Sequence, residues 1–581
     1  MVNRLKFRSG AVLPCLKCRF VAFILGLAVL FSSCSGGSAE NTSGNEGMDE
    51  TMTGNMEIIT TVYPQEAVRE ITVAEAGEIC RNVTTETDPS LNKGLSGAGI
   101  NVSPYYTLKV NDTEVPVYCT PVYTPSVSGS GGVLHSFARI EVKGNMSKAL
   151  SVALSATEAL SVKMAVVAPQ SYQVTPTVEE NTVFSEINGC GHYTFLVNGE
   201  DQRYAFTLSV SEYTDEESEI AALQEKYPEK KYDGVTVFEP GVHYVDPMIF
   251  NGASGKVIYL KRGALLIARH MYDLDTPEDS QTWSRDNCPE EDDGCGGLGI
   301  GLPRRAVIGA VNSAGIVIAG HGTIDFSMLD LAERNGIAVT YSRNVEMRDI
   351  TLINSAAWTI TVYNCDNVSI RNVVTYSWRV SSDSFDLCNS RQVLVEDCFS
   401  RGGDDIYVVK TLGGAPTAVA ENITVRNCIA WAGKARAFSI ASEVCKDIRN
   451  ILFEDCSVVL HDSVWNRDYV SSLAVVLESM EEETVLENVV FRNVEIFREL
   501  GRSILVNVYT PDAEDCRADI LFENISVGAG KGAGDMKFNA ANDKNDIAAV
   551  LKQVTVNNTV LTSENLTERA EILGGAVVTI P

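Results

Sequence analysis

The stretch NVEMRDITL, residues 344–352, returns as NVSIRNVVT at 367–375, QVLVEDCFS at 392–400, NITVRNCIA at 422–430, NILFEDCSV at 450–458, NVVFRNVEI at 488–496 and DILFENISV at 519–527. Each copy reads polar, apolar, any residue, apolar, charged or polar, Asp or Asn, apolar, and successive copies start 23, 25, 30, 28, 38 and 31 residues apart. Short strand-like pieces at such a period, with no long helical pattern between them, predict a solenoid of stacked strands, a parallel β-helix. Alternate apolar positions face the interior, and the sixth position turns a corner where Asp or Asn tolerates left-handed backbone. All seven copies comply, with Asp349, Asn372, Asp397, Asn427, Asp455, Asn493 and Asn524. Cys398, Cys428 and Cys456 fill the seventh position in three successive copies, a buried ladder of free thiols packing as small apolar groups.

Working outward, VTVFEPGVHYVD, KVIYLKRGALLIA and GIVIAGHGTIDF read as the first coils, so the solenoid spans residues 235–581. The acidic, Trp283-containing segment between Tyr272 and Gly301 breaks the period, as a loop overhanging a binding face would. Within it Cys288 and Cys295 flank NCPEEDDGC and are candidates for a small disulfide; Cys80 and Cys119 are a weaker pair. Residues 57–215 carry period-two alternation broken by regular turns, the pattern of a β-sandwich, and EESEIAALQEKYPEKK within 216–234 reads as a helical linker. The expected fold class is all-β, a parallel β-helix preceded by an N-terminal β-sandwich.

At the N-terminus Arg4, Lys6, Arg8, Lys17 and Arg19 precede an apolar run, Phe20–Phe31, then Ser32, Ser33 and Cys34. This order resembles a bacterial lipoprotein signal over residues 1–34, with Cys34 the lipidated residue and the polar, Gly/Ser-rich residues 35–56 a flexible tether. It implies a lipid-anchored protein of the bacterial cell envelope, touching the membrane only through its anchor. The net charge of −29 argues against nucleic acid as a partner. No Cys or His spacing marks a zinc site, and no cofactor or metal is expected.

One segment, SSDSFDLCNSRQVLVEDCFSRGGDDIYVVKT at 381–411, stands out chemically. Asp383 and Asp404 lie 21 residues apart, about one coil, and Asp405 adjoins the second. Stacked strands would cluster all three carboxylates, and mutual repulsion would raise at least one pKa to suit a general acid, leaving the others to polarise water. An inverting glycosidase uses such an arrangement. A calcium site, as in a metal-dependent lyase, draws on the same residue types, and these residues alone leave the two open.

SSDSFDL and GGDDIYVVK resemble the N-T-D-G-x-D and G-D-D-x-x-x-x-K signatures of polygalacturonases, right-handed β-helix hydrolases of pectin, and AGHGTIDF is similar to that family's Gly-rich coil. The resemblance spans Val235 to Ile496 and implies a right-handed β-helix with Asp404 as general acid and Asp383 and Asp405 as water activators. Two family features are missing: ARAFSIAS puts Arg436 where the G-H-G motif has His, and no R-x-K for a uronate carboxylate appears near SLAVVLESM. Dextranases and isopullulanases, which share the three aspartates, lack that His and carry a leading β-sandwich, are similar in layout. RNILFEDCSVVLHDSVW resembles their following coil and brings His461 and Trp465 near the cleft.

Trp358, Trp378, Tyr407, Trp431 and Trp465 fall close to the active coils, as sugar platforms or as interior packing. Arg379, Asp386, Lys410, Arg436 and His461 are candidates for binding sugar hydroxyls or holding the carboxylates. The expected activity is inverting hydrolysis of a polysaccharide or oligosaccharide, a neutral α-glycan before a polyuronate. The rivals are a polyuronate hydrolase or lyase and a surface lipoprotein that binds glycan without cutting it.

Overall fold

The computed structural model describes residues 56–83, 92–95, 98–124, 132–199, 202–270, 306–412, 419–463, 465–478 and 484–581. Cys34, Trp283, Cys288 and Cys295 lie outside them. From Val235 onward the chain winds as a right-handed parallel β-helix of three strands per coil. First and second strands merge into a bent 22-stranded sheet, and third strands form an 11-stranded sheet.

The corner positions adopt the conformation that the repeat requires. Asp349, Asn372, Asp397, Asn427, Asp455, Asn493 and Asn524 all have φ between 50° and 63°. They also bond one another from coil to coil, with Asn372 Nδ2 donating to Asp349 Oδ1 at 2.7 Å and Asn493 Nδ2 to Asp455 Oδ1 at 2.8 Å. The copies' first residues from Asn344 to Asn488 are left-handed too, which the sequence pattern marks only as polar. Inside, Phe385, Tyr407 and Phe438 stack with centroids 4.8 and 5.1 Å apart, and Phe453, Phe491 and Phe522 form a second stack at 4.8 and 5.0 Å. Cys398, Cys428 and Cys456 are buried free thiols, and burial holds Cys398 and Cys456 well above the usual thiol range. Cys80 and Cys119 are free as well, so the weaker disulfide pairing is not formed.

Ahead of the β-helix, an eight-stranded and a five-stranded sheet enclose a core including Leu108, Ile140, Leu154 and Phe206. The strand Gly132–Lys143 is buried along almost its whole length because both its faces are covered. Ala138, Ile140 and Val142 point into the sandwich, whereas Val133 and Phe137 pack on the outer face of the second-strand ladder, against Tyr376, Phe399, Ile429 and Trp431. Polar residues on the same face find partners across the junction. Arg401 lies 3.6 Å over the Trp431 ring and bonds His135 at 2.6 Å, and Glu141 takes both ends of the Arg262 guanidinium at 2.7 and 2.8 Å. The helix Glu216–Lys226, N-capped by Asp215, lays Ile220 and Leu223 over Val257, Tyr259 and Val317, and so covers early coils as well as connecting.

Candidate active site

The third-strand ladder positions the three aspartates. Ile360, Phe385, Tyr407, Phe438 and Leu473 are in register along it. Backbone bonds extend that register into the preceding loops: Thr359 N–H to Asp383 O, Ser384 N–H to Asp405 O, and Ile406 N–H to Arg436 O, at 2.7, 2.8 and 2.9 Å. Two residues before each strand, Trp358, Asp383, Asp405 and Arg436 therefore form one column. The sequence spacing pairs Asp383 with Asp404; the structure stacks it on Asp405 instead, 22 residues on, and sets Asp404 one residue out of register. Gly403 permits this turn, because a Cβ there would lie 2.2 Å from Arg379 O.

One oxygen from each of Asp383, Asp404 and Asp405 lies within 4.8 Å of the others. Their surroundings differ. Asp383 Oδ2 receives Lys410 Nζ at 3.0 Å. Both oxygens of Asp405 are taken by Arg436, through Nη1 at 2.7 Å and the backbone N–H at 3.0 Å. Asp404, the most exposed of the three, accepts among the described residues only the backbone N–H groups of Ser381 and Asp405, at 2.8 and 3.1 Å. Among the described residues no cation comes within ion-pair distance of it. Burial raises all three carboxyls. Asp383 and Asp405 are pushed up to about 6 even though Lys410 and Arg436 favour their ionised forms, and Asp404 is raised by burial and by the charge of Asp405.

Lys410 organises the next layer. Buried and 3.9 Å from the Trp358 ring centre, it also reaches Asp386 at 2.9 Å and Glu443 at 3.6 Å. Burial works against its charge, but Asp383 and Asp386 outweigh it and hold the ammonium on. The carboxylate trio is compact enough to share a cation. Lys410 and Arg436 already supply the neutralising charge that a metal ion would bring.

Several candidates from the sequence take other places. Tyr407 is fully buried in the interior aromatic stack and cannot touch a sugar. Trp378 is buried with Val83 and Ala98, and Arg379 lies against its ring and bonds the carbonyls of Asn354 and Ser327. Trp358 and Trp431 are buried too. Asp386 sits behind Asp383 and shares its lysine, and burial raises its carboxyl well above the usual range. His461 is wholly buried and ion-paired with Glu499. Trp465 is the exposed exception at 58%. Tyr469 packs edge-on against it, Tyr509 against Tyr469, and Lys434 lies 5.9 Å over its ring. Lys434, Glu443 and Tyr469 escape a reading of the sequence. A bulge between the partners of Val409 and Thr411 shifts Glu443 out of the repeat, and loop residues carry no periodic signal.

Fold and site together are a right-handed parallel β-helix that gathers three aspartates at one turn beside its third-strand sheet. More specifically, residues 320–496 match the family model described as glycosyl hydrolases family 28. The chain is also similar to the solved polygalacturonase from Erwinia carotovora ssp. carotovora, at 15% identity and TM-score 0.43 over 62% of this chain and 93% of that one. Dex49A from Penicillium minioluteum is similar at 10% identity and TM-score 0.49 over 90% and 98% of the two chains. A hyperthermoactive exopolygalacturonase from Thermotoga maritima is similar at 16% identity and TM-score 0.44 over 62% and 87%. No curated protein sequence matches.

Proposed function

We propose that this protein hydrolyses a polysaccharide with inversion of the anomeric carbon, Asp404 serving as general acid and Asp383 and Asp405 together activating water. The observation that carries this reading is the unequal pairing of the three carboxylates. Two are tied to cations and are thereby suited to stay ionised and accept a water proton. The third, the most exposed, has no cation within ion-pair distance among the described residues, lies beside a charged neighbour, and is suited to hold the proton that a leaving oxygen needs. A retaining reading draws on the short spacing, since retaining pairs sit about 5–5.5 Å apart and inverting pairs about 6.5–9.5 Å. Against it, the three aspartates bring an oxygen each within 4.8 Å of one another, so Asp383 and Asp405 can hold one water between them.

The substrate is a neutral, α-linked glycan. Lys410 and Arg436 are bound to site carboxylates, and farther along Lys537 and Arg502 are bound to Asp468 and Asp535. None is left to receive a uronate. A polyuronate reading draws on Lys434, which has no ion-pair partner among the described residues. Tethering by a lipid on Cys34 in a bacterial envelope completes the proposal.

Purified protein incubated with a polysaccharide panel should release reducing ends from a neutral glycan, with the product's first anomer inverted by NMR. Release of an unsaturated, ultraviolet-absorbing product that depends on calcium would replace hydrolysis with elimination. Binding without new reducing ends over long incubation would leave a glycan-binding lipoprotein.

A further inference from the structure

His461 and Glu499 are both completely buried, His461 one coil beyond the turn that carries Arg436, and touch no surface that a substrate could reach. Glu499 is surrounded by donors. Oε1 accepts His461 Nδ1 at 2.6 Å and Gly501 N–H at 2.7 Å, and Oε2 accepts the Ser472 hydroxyl. The other imidazole nitrogen, Nε2, lies 3.0 Å from Ala435 O, which can only accept. Nε2 therefore donates, and Nδ1, facing the Glu499 carboxyl at 2.6 Å, is placed to carry the second proton of an imidazolium. Burial opposes that charge, but Glu499, the Ala435 carbonyl and Asp462 outweigh it and hold the ring above its usual range. Gly501 makes room for the pair, because a Cβ there would lie 2.8 Å from the imidazole Cε1.

The peptide that receives this charge is the one joining Ala435 to Arg436. At its other end, the Arg436 N–H donates to Asp405 Oδ1 at 3.0 Å. A cation on the carbonyl of a peptide strengthens the donor on its nitrogen, since hydrogen bonds in series polarise one another in a poorly polarisable interior. We propose that His461, held as an imidazolium by Glu499, is a positioning residue that fixes and polarises the Ala435–Arg436 peptide and so keeps Asp405 ionised for water activation. The proposal rests on Asp405 being a base. Acting on Asp405 are Arg436, Lys410, Asp383, Asp404 and Asp386; facing His461 are Glu499 and Asp462.

The test is the pH profile of kcat/KM. His461→Gln keeps a donor for Ala435 O but removes the charge and leaves Glu499 uncompensated. Its acidic limb should move up by about one pH unit, with the rate recovering at higher pH. The double variant His461→Gln/Glu499→Gln removes both charges and should return the limb most of the way. An unmoved limb, or a rate loss equal at every pH, overturns the proposal. If His461→Gln does not fold, 15N-histidine NMR of the parent protein decides. The chain has six histidines, and burial holds His135, His192 and His321 neutral. In a His243→Asn/His270→Asn background one imidazolium persisting to pH 8 is the expected result, and none at that pH overturns the assignment. Asp405→Asn separates the two levels: full turnover removes Asp405 as base and this inference with it. An inactive Asp405→Asn beside a parental His461→Gln profile removes only the inference.

Discussion

Two columns run along the same solenoid with one residue per coil, and they are built on opposite rules. The corner column, Asp349 to Asn524, repeats one kind of residue because each coil needs the same left-handed turn there. Asn amides bridge the aspartates and separate their charges. In the aspartate column the residue changes at almost every step, from Trp358 to Asp383 to Asp405 to Arg436, and two carboxylates sit directly on one another. Repetition serves conformation, and contrast between neighbours serves chemistry. Lys410 and Arg436 flank the aspartate column and offset the repulsion between its carboxylates.

Substitutions should therefore separate activity from stability according to the column they strike. Asp404→Asn is expected to have the largest effect on rate, a loss on the order of 10²–10⁴-fold in kcat with an unchanged melting temperature. Lys410→Met should damage both. It leaves Asp383 and Asp386 buried without their cation, and denaturant unfolding should show a loss of about 3–5 kcal/mol. Next come the effects of pH. Asp383 and Asp405 carry folded-state pKa values of about 6 against an ordinary 3.8. Their ionised forms are thus disfavoured by folding, a penalty fully present above about 6 and relieved as pH falls toward 3.8. Activity should fall below about pH 6 while these groups make the fold more stable, not less, which paired kinetics and melting scans would show. Asn427→Ala in the corner column should cost about 1–2 kcal/mol through its left-handed backbone and leave kcat unchanged. Trp465→Ala should do least, raising KM a few-fold with stability unaltered.

The sequence displays the corner column plainly, because a conformational requirement repeats and so makes a period. The aspartates were legible as a cluster for the same reason, yet their register was not. A spacing of 21 residues selects Asp404, while the turn at Gly403 hands the stacking position to Asp405. Aromatic residues near the site were harder to place, since Tyr407 and Trp465 have similar compositional settings and opposite exposures. Least visible was the junction with the β-sandwich. His135, Arg139 and Glu141 alternate with apolar residues as a solvent-facing set would, and the β-helix covers them. Their partners, Arg401 and Arg262, come from distant coils and leave no local trace.

That junction has a consequence for how such a protein can be inherited. A solenoid whose outer face carried only polar residues could be copied, lengthened or fused elsewhere as an independent module. Here Ile353, Val374, Tyr376, Phe399, Ile429 and Trp431 face outward on successive coils and depend on the sandwich for cover. The two parts are thus bound to travel through evolution as one unit. A coil added beneath the sandwich must bring an apolar outward residue with it, whereas one added beyond its edge need not.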